Sequence, residues 1–252
     1  MRYLLLLVAV LGVSCRGAAA DRRPLAVAAA ANLKPALEDL ERAFEESRPD
    51  VDVRVTYGAS GAFFAQIESG APLDLFFSAD REYPRRLVAA GLAKEEVVYA
   101  IGRLALWVPR GSPLDVERRG LAALADPAVR KVAIANPAVA PYGRAAEVAL
   151  RAAGVLDAVT PKLVLGASVA QAAQFAGSGA ADAALVPLSL ASSPALAAGR
   201  SVPVPDALHP PIEQSAVVLE AARAPGLARD LLAFVCGAEG RRILARHRYA
   251  LP

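Results

Sequence analysis

Residues 26–37 read AVAAAANLKPAL. Residues 25–30 form a short apolar run of the kind that makes a buried strand. From Asn32 onward, Leu33, Ala36, Leu37, Leu40 and Phe44 recur at helical spacing. The join between the two patterns is stripped of side chains: four alanines, Ala28 to Ala31, lead straight to Asn32. A strand entering a helix through a bare junction is the building unit of an α/β protein, and the unit recurs along the chain.

Val51, Val53, Val55 and Tyr57 alternate with polar residues and predict a strand. Phe63, Phe64 and Ile67 predict a short helix ended by Gly70 and Pro72, residues 73–77 a strand, and Asp80 a cap for the next helix. In the second half, residues 104–108 and 132–135 read as strands, and 144–153 as a helix closed by Gly154. Residues 162–165 read as a strand, 169–176 as a helix and 183–186 as a strand. A proline-rich stretch, 202–211, reads as a linker, 216–219 as one more strand, and 227–246 as a final helical region. Strands alternating with helices, without an internal sequence repeat, predict parallel α/β sheets covered by helices on both faces.

The chain of 252 residues is long enough for one large or two modest cores. Its mean hydropathy of +0.36 suggests a membrane protein, but alanine, valine and leucine spread along the chain account for it. The long apolar run at residues 4–13 is too short to span a bilayer. Arg2, that run, and the small residues Gly17 to Ala20 read instead as a signal peptide over residues 1–20, so the mature protein is expected in the periplasm. Cleavage after Ala20 is the expected route. A lipid anchor on Cys15 is the alternative, although Gly12 stands where a lipoprotein box usually has leucine. Loss of the leader removes Arg2 and Arg16, leaving 26 basic against 25 acidic residues, or +1. With no basic tract, no nucleic-acid partner is expected. The remaining cysteine, Cys236, lies in an apolar helical stretch and reads as a buried, inert thiol.

In open α/β sheets ligands bind beyond the carboxyl ends of the strands. Three such ends share a character: Ala28 to Asn32, Tyr57 to Ala62 (YGASGA), and Gly166 to Val169 (GASV). Small residues let a ligand approach the backbone, and a helix start offers unpaired N–H groups with partial positive charge. Together these can hold an anion without a formal cation. Serine and asparagine are also ordinary helix caps that bind nothing; the case lies in three junctions occurring together.

Other chemistry is thin. There is no phosphate loop and no nucleophile elbow. His209 and His247 lack ligand-spaced partners and read as solvated; no enzyme activity, cofactor or bound metal ion is expected. Asp74, Asp80 and Glu82 read as caps or ion-pair partners, Trp107 as core, and Lys34 and Arg144 as solvated cations, with long-range attraction of an anion as the alternative.

The stretches VAAAANLKPALEDLERAF and TYGASGAFFAQIESGAPLDLFFSAD resemble the periplasmic molybdate-binding proteins of molybdate ABC transporters. The likeness continues through VAIANPAVAPYGRAAEVAL and LVLGASVAQAAQFAGSGAADAALVPLSLA to LLAFVCGAEGRRILARHRYALP. It implies a type II periplasmic-binding-protein fold: two α/β lobes, residues 21–101 with 211–252 and residues 102–210, joined by two crossovers with the ligand between them. It implies a monomeric receptor that binds molybdate or tungstate and serves an inner-membrane ABC permease. The implied oxyanion contacts are Ala31, Asn32, Ser60, Tyr142 and Val169, touching oxygen rather than ligating the metal. Asn32 stands where many members have serine and keeps a side-chain donor. Pro187 stands where some members have a tyrosine hydroxyl, and proline donates nothing. Tyr142 either compensates for it or merely shields the cleft.

A donor-only site suits dianions that carry no proton. Hydrogen phosphate needs an acceptor, and these loops hold no Asp or Glu. Sulfate is the real competitor, and a receptor for sulfate or another small solute is the alternative function. An exported hydrolase would need a nucleophile and base that the sequence lacks.

Overall fold

The computed structural model describes residues 22–252, so the leader, its cleavage point and Cys15 lie outside the described residues. The first half of the chain forms β1 (Arg23–Ala30), α1 (Lys34–Ser47), β2 (Val51–Gly58), α2 (Ser60–Glu68), β3 (Leu75–Phe77), α3 (Glu82–Ala89) and β4 (Val97–Gly102). After a single residue, Arg103, come β5 (Leu104–Pro109), α4 (Val116–Arg119), β6 (Val132–Ala135), α5 (Pro141–Ala152), α6 (Leu156–Val159) and β7 (Leu163–Gly166). Then follow α7 (Val169–Gly177), β8 (Ala183–Pro187), α8 (Leu188–Ala191), β9 (Gly199–Pro203), β10 (Ile212–Val218), α9 (Pro225–Cys236) and α10 (Ala238–Arg246).

The strands make two five-stranded sheets, ordered β2-β1-β3-β10-β4 and β7-β6-β8-β5-β9. Each contains one strand antiparallel to both neighbours, β10 in the first and β5 in the second. The rest of each ladder is parallel, as the alternation of strands and helices requires. The chain crosses between sheets twice, at Arg103 and over residues 204–211. This is the two-lobed α/β architecture.

Burial on both faces explains the apolar runs. In β1, Leu25 and residues 27–30 are buried between helix layers. In α1, Ala36, Leu37, Leu40 and Phe44 face the first sheet, and Pro35 sits in the first turn, where no N–H is needed. Trp107 is core, 2% exposed, its indole N–H donating to the Leu196 carbonyl at 3.0 Å. Gly70 and Gly154 follow their helices at φ +83° and +69°.

Several expectations need correction. The linker read over 202–211 begins inside β9, an edge strand paired to β5; its proline, Pro203, ends the strand, where no ladder donor is lost. Residues 97–102 form β4, which was not anticipated because Arg103 alone separates it from β5. The final helical region is two helices, broken where Gly237 turns extended at ψ 176°. Helix α5 begins at Pro141, three residues earlier than the apolar pattern suggests, because proline is suited to a first helical turn.

Candidate functional site

Four parallel strands, β1 and β2 in the first lobe and β6 and β7 in the second, lead at their carboxyl ends into helices that meet across the cleft. Between them is a small cavity, about 190 Å³ of atom-free space, part of it opening to solvent. Its wall brings together Ala31, Asn32, Ser60, Tyr142 and Val169, every residue anticipated from the sequence. The rest of the wall is Ala30, Gly58, Ala59, Ala79, Ala140 and Pro141, all small or without a side-chain charge. Asn136 lies outside it; its Oδ1 accepts from the Ala138 N–H at 3.0 Å and shapes the turn before α5.

The donors arise from helix starts. Ser60 and Val169 are the first residues of α2 and α7, and Tyr142 the second of α5, positions whose N–H groups have no intrahelical acceptor. Ala31 and Asn32 open the 3-10 turn that precedes α1. The early start of α5 is therefore significant, because it makes the Tyr142 N–H a first-turn donor. Ser168 is absent from the cavity wall and caps α7, its hydroxyl accepting from the Gln171 N–H at 3.4 Å.

Ser60 is fully buried, and its Oγ accepts from the Ala79 N–H at 3.0 Å. An N–H can only donate, so the hydroxyl proton remains available to the cavity. Tyr142 is 2% exposed and so is not a rim residue. Its Oη accepts from Gln214 Nε2 at 3.0 Å. Burial holds the Tyr142 hydroxyl well above the ordinary tyrosine range, so it stays protonated.

Asn32 behaves differently from expectation. Its Nδ2 donates to Gln214 Oε1 and to Tyr249 Oη, each at 2.9 Å. The side-chain donors are engaged by protein, which leaves its main-chain N–H for the cavity. The Asn32 carbonyl accepts from Tyr249 Oη at 2.8 Å and Ser189 Oγ at 3.0 Å. Pro187 is absent from the cavity wall.

The lobes are latched around the cavity. The Gly61 N–H donates to the Val139 carbonyl at 2.9 Å. Arg144 on α5 pairs with Asp80, reaches Glu82 at 3.4 Å, and donates to Tyr83 Oη at 3.2 Å. It is thus an interlobe clasp rather than a solvated cation. Burial raises the Asp80 carboxyl, opposed by the Ser78 hydroxyl and Arg144. Asp80 also accepts from the Tyr83 N–H at 3.3 Å, the cap expected of it. Lys34 does remain at the surface, paired to Glu38 at 2.9 Å.

The histidines correct another expectation. His209 is 6% exposed, its Nδ1 2.8 Å from the Pro210 carbonyl, and His247 Nε2 lies 2.8 Å from Asp39 Oδ2. Asp74 is buried and its carboxylate takes the N–H groups of Ala26, Arg223 and Ala224, a structural role. Cys236 is half-buried, with its thiol pushed up by burial, beside a larger groove on the outer edge of the first sheet. Among the described residues no cluster of three or more His, Cys, Asp or Glu is placed to hold a metal ion.

Gln214, Tyr99 and Tyr249, which support the cavity from behind, were not anticipated. They lie far from the helix starts in sequence, and only the fold brings them there.

The family of bacterial extracellular solute-binding proteins matches the chain over residues 25–249. The molybdate-binding protein ModA of Azotobacter vinelandii is 35% identical over 248 residues, 97% of this chain and 97% of that protein. ModA of Rhodobacter capsulatus is 34% identical over 245 residues, 96% and 93% of the two chains. The solved structure of the Azotobacter vinelandii periplasmic molybdate-binding protein matches with a TM-score of 0.84 at 34% identity, covering 90% of this chain and 99% of that one. These relatives are binding proteins, and the cavity lies where such a fold closes on its solute. The chain belongs to the bacterial extracellular solute-binding protein family, among the molybdate-binding proteins.

Proposed function

We propose that this protein is an extracytoplasmic receptor that binds molybdate, and by the same donors tungstate, between its lobes and delivers it as a monomer to an inner-membrane ABC permease. The observation that carries this reading is the convergence of four helix starts on one small, charge-free cavity. The donors assigned to the oxyanion are the N–H groups of Ala31, Asn32, Ser60, Tyr142 and Val169, with the hydroxyls of Ser60 and Tyr142. They surround a tetrahedral dianion from both lobes. No carboxylate lines the wall, so a hydrogen phosphate proton finds no strong acceptor. Tyr142 supplies the hydroxyl that Pro187 does not. The chemistry is binding without bond making, and affinity comes from many directed hydrogen bonds to a charged ligand, each stronger than a neutral one.

Closure is part of the function. The second lobe's donors reach the ligand only when α5 and α7 meet α2, the arrangement that Arg144 and the Gly61–Val139 bond hold. Calorimetric titration of the exported protein with molybdate, tungstate, sulfate and phosphate tests the reading. Tight binding of the first two alone is expected. Binding of sulfate with no response to molybdate would overturn it. The expected monomer is read from the sedimentation of the same preparation, and the exported N-terminus by mass spectrometry, as a free Asp21 or an acylated Cys15.

A further inference from the structure

We propose that Gln214, which is not part of the cavity wall, is a positioning residue that fixes the Tyr142 hydroxyl as a donor toward the ligand; this rests on the oxyanion reading above. The direction of the network follows from one group that cannot be reversed. The main-chain carbonyl of Asn32 only accepts, and it takes the hydroxyl protons of Tyr249 at 2.8 Å and Ser189 at 3.0 Å. With its proton so placed, Tyr249 Oη can only accept from the Asn32 side chain 2.9 Å away, so Nδ2 faces it. The second hydrogen of that Nδ2 points to Gln214 at 2.9 Å, and Gln214 must therefore present Oε1.

Tyr99 Oη lies 2.9 Å from the same Oε1 and 3.0 Å from the Ser78 carbonyl, two acceptors for one proton, so the orientation of Gln214 is set by Asn32 alone. Gln214 is left with Nε2 facing Tyr142 Oη at 3.0 Å. The Tyr142 oxygen is an acceptor in that bond, and its own proton has no protein partner among the described residues. The arrangement leaves Asn32 Oδ1 buried without a partner, the penalty of holding the amides in one direction.

The backbone is shaped around this contact. A Cβ on Gly102 would lie 2.0 Å from Tyr142 Oη and 2.5 Å from Gln214 Nε2. Gly102 ends β4, one residue before the crossover, and the β4–β10 register shifts between Gln214 and Ser215. Tyr142 thus reaches from the second lobe over Gly102 to Gln214 on β10 of the first lobe, and its polarity is set only when the lobes are together. Ser60 needs no such relay, because the Ala79 N–H alone directs it.

The test is a double-mutant cycle read by calorimetry with sodium molybdate. Gln214→Leu is expected to weaken molybdate binding about tenfold, and Tyr142→Phe about tenfold or more. Gln214→Leu added to the Tyr142→Phe background is expected to weaken it no further, because Gln214 acts through the hydroxyl that Tyr142→Phe removes. Equal losses in both backgrounds would overturn the proposal and leave the receptor reading intact; a native protein silent to molybdate would overturn the receptor reading itself. Should Gln214→Leu fail to fold, Gln214→Glu keeps the acceptor for Asn32 and, when ionised, reverses the bond to Tyr142, and the same change in the Tyr142→Phe background measures the cost of its charge alone. Gln214→Glu is expected to cost about a hundredfold or more in affinity at pH 8, and unchanged affinity would refute the assignment.

Discussion

The two lobes share a strand order yet are filled with different material. The first packs aromatic rings around its sheet: Phe44 against Phe234, Phe63 against Phe76, Phe64 against Tyr83, and Phe77 edge-on to Tyr99 at 5.2 Å. The second is built mainly of alanine, valine and leucine, with Trp107 and Tyr142 as its fully buried large rings. A common topology therefore leaves no sequence repeat, because it asks only for apolar strands and helices in the same succession. The lobes differ at the site as well. The first directs its hydroxyl, Ser60, with its own backbone; on the proposal above, the second takes the direction of Tyr142 from Gln214 of the first lobe. One half of the cradle is ready-made and the other is finished by closure.

The largest effect should come from separating the halves. A Cβ on Gly61 would meet Tyr83 Oη at 2.5 Å and the Val139 Cα at 3.0 Å, wedging the seam. Gly61→Ala is expected to weaken molybdate binding at least a hundredfold, roughly 3 kcal/mol. Small-angle scattering should show the variant staying open when molybdate is added, and ligand-driven compaction like that of the native chain would refute the wedge.

Damage to the ready-made half comes next. Ser60→Ala removes a donor to a charged ligand and strands the Ala79 N–H. Affinity should fall by about thirtyfold, near 2 kcal/mol, with closure still visible at saturating ligand. An unchanged dissociation constant would take Ser60 out of the site.

Loosening the clasp should matter less. Arg144 is one-third exposed, so its pairs with Asp80 and Glu82 are partly screened. Arg144→Met is expected to raise the molybdate dissociation rate about fivefold, ~1 kcal/mol, with little change in the association rate. Stopped-flow tryptophan fluorescence separates the two rates, and a change confined to association would mean long-range attraction instead of latching.

The smallest effect should be felt by the first lobe alone. The hydrogen bond from His247 holds the Asp39 carboxyl below its usual range, far from the cavity. A depressed carboxylate stabilises the fold above its unfolded value, about 3.9, and the gain fades as pH falls through the lower folded value. Asp39→Asn should cost under about 1 kcal/mol at neutral pH, flatten the acid limb of a pH–stability curve, and leave molybdate affinity alone. A loss of affinity would show that α1 is coupled to the site.

The helix starts were legible in the sequence because each is local: small residues, a cap and a periodic run lie within a few positions. That is how the three junctions holding Ala31, Asn32, Ser60 and Val169 could be picked out, while the individual contacts came from the family resemblance. Tyr142 was reached only through family resemblance, and its place in the first turn of α5, which starts at Pro141, emerged only from the structure. Gln214 was out of reach because the strand pattern was read from residue 216 onward, and nothing local connects a glutamine in β10 with a tyrosine 72 positions earlier. Asn32 illustrates the converse. Its residue type suggested a side-chain contact, while Tyr249 and Gln214 claim both hydrogens of its amide. Chemistry carried by main chain and sequence neighbours can be read in advance; direction in a buried network depends on every member being in place.

The absence of charge from the cavity wall has a further consequence. On the proposed reading a dianion enters and no buried cation cancels it, while the Arg144 clasp is already committed to Asp80 and Glu82. Loading then makes the whole particle two elementary charges more negative. A loaded receptor would migrate differently from an empty one in native electrophoresis, and its field would report its cargo to a membrane partner before any surface touched.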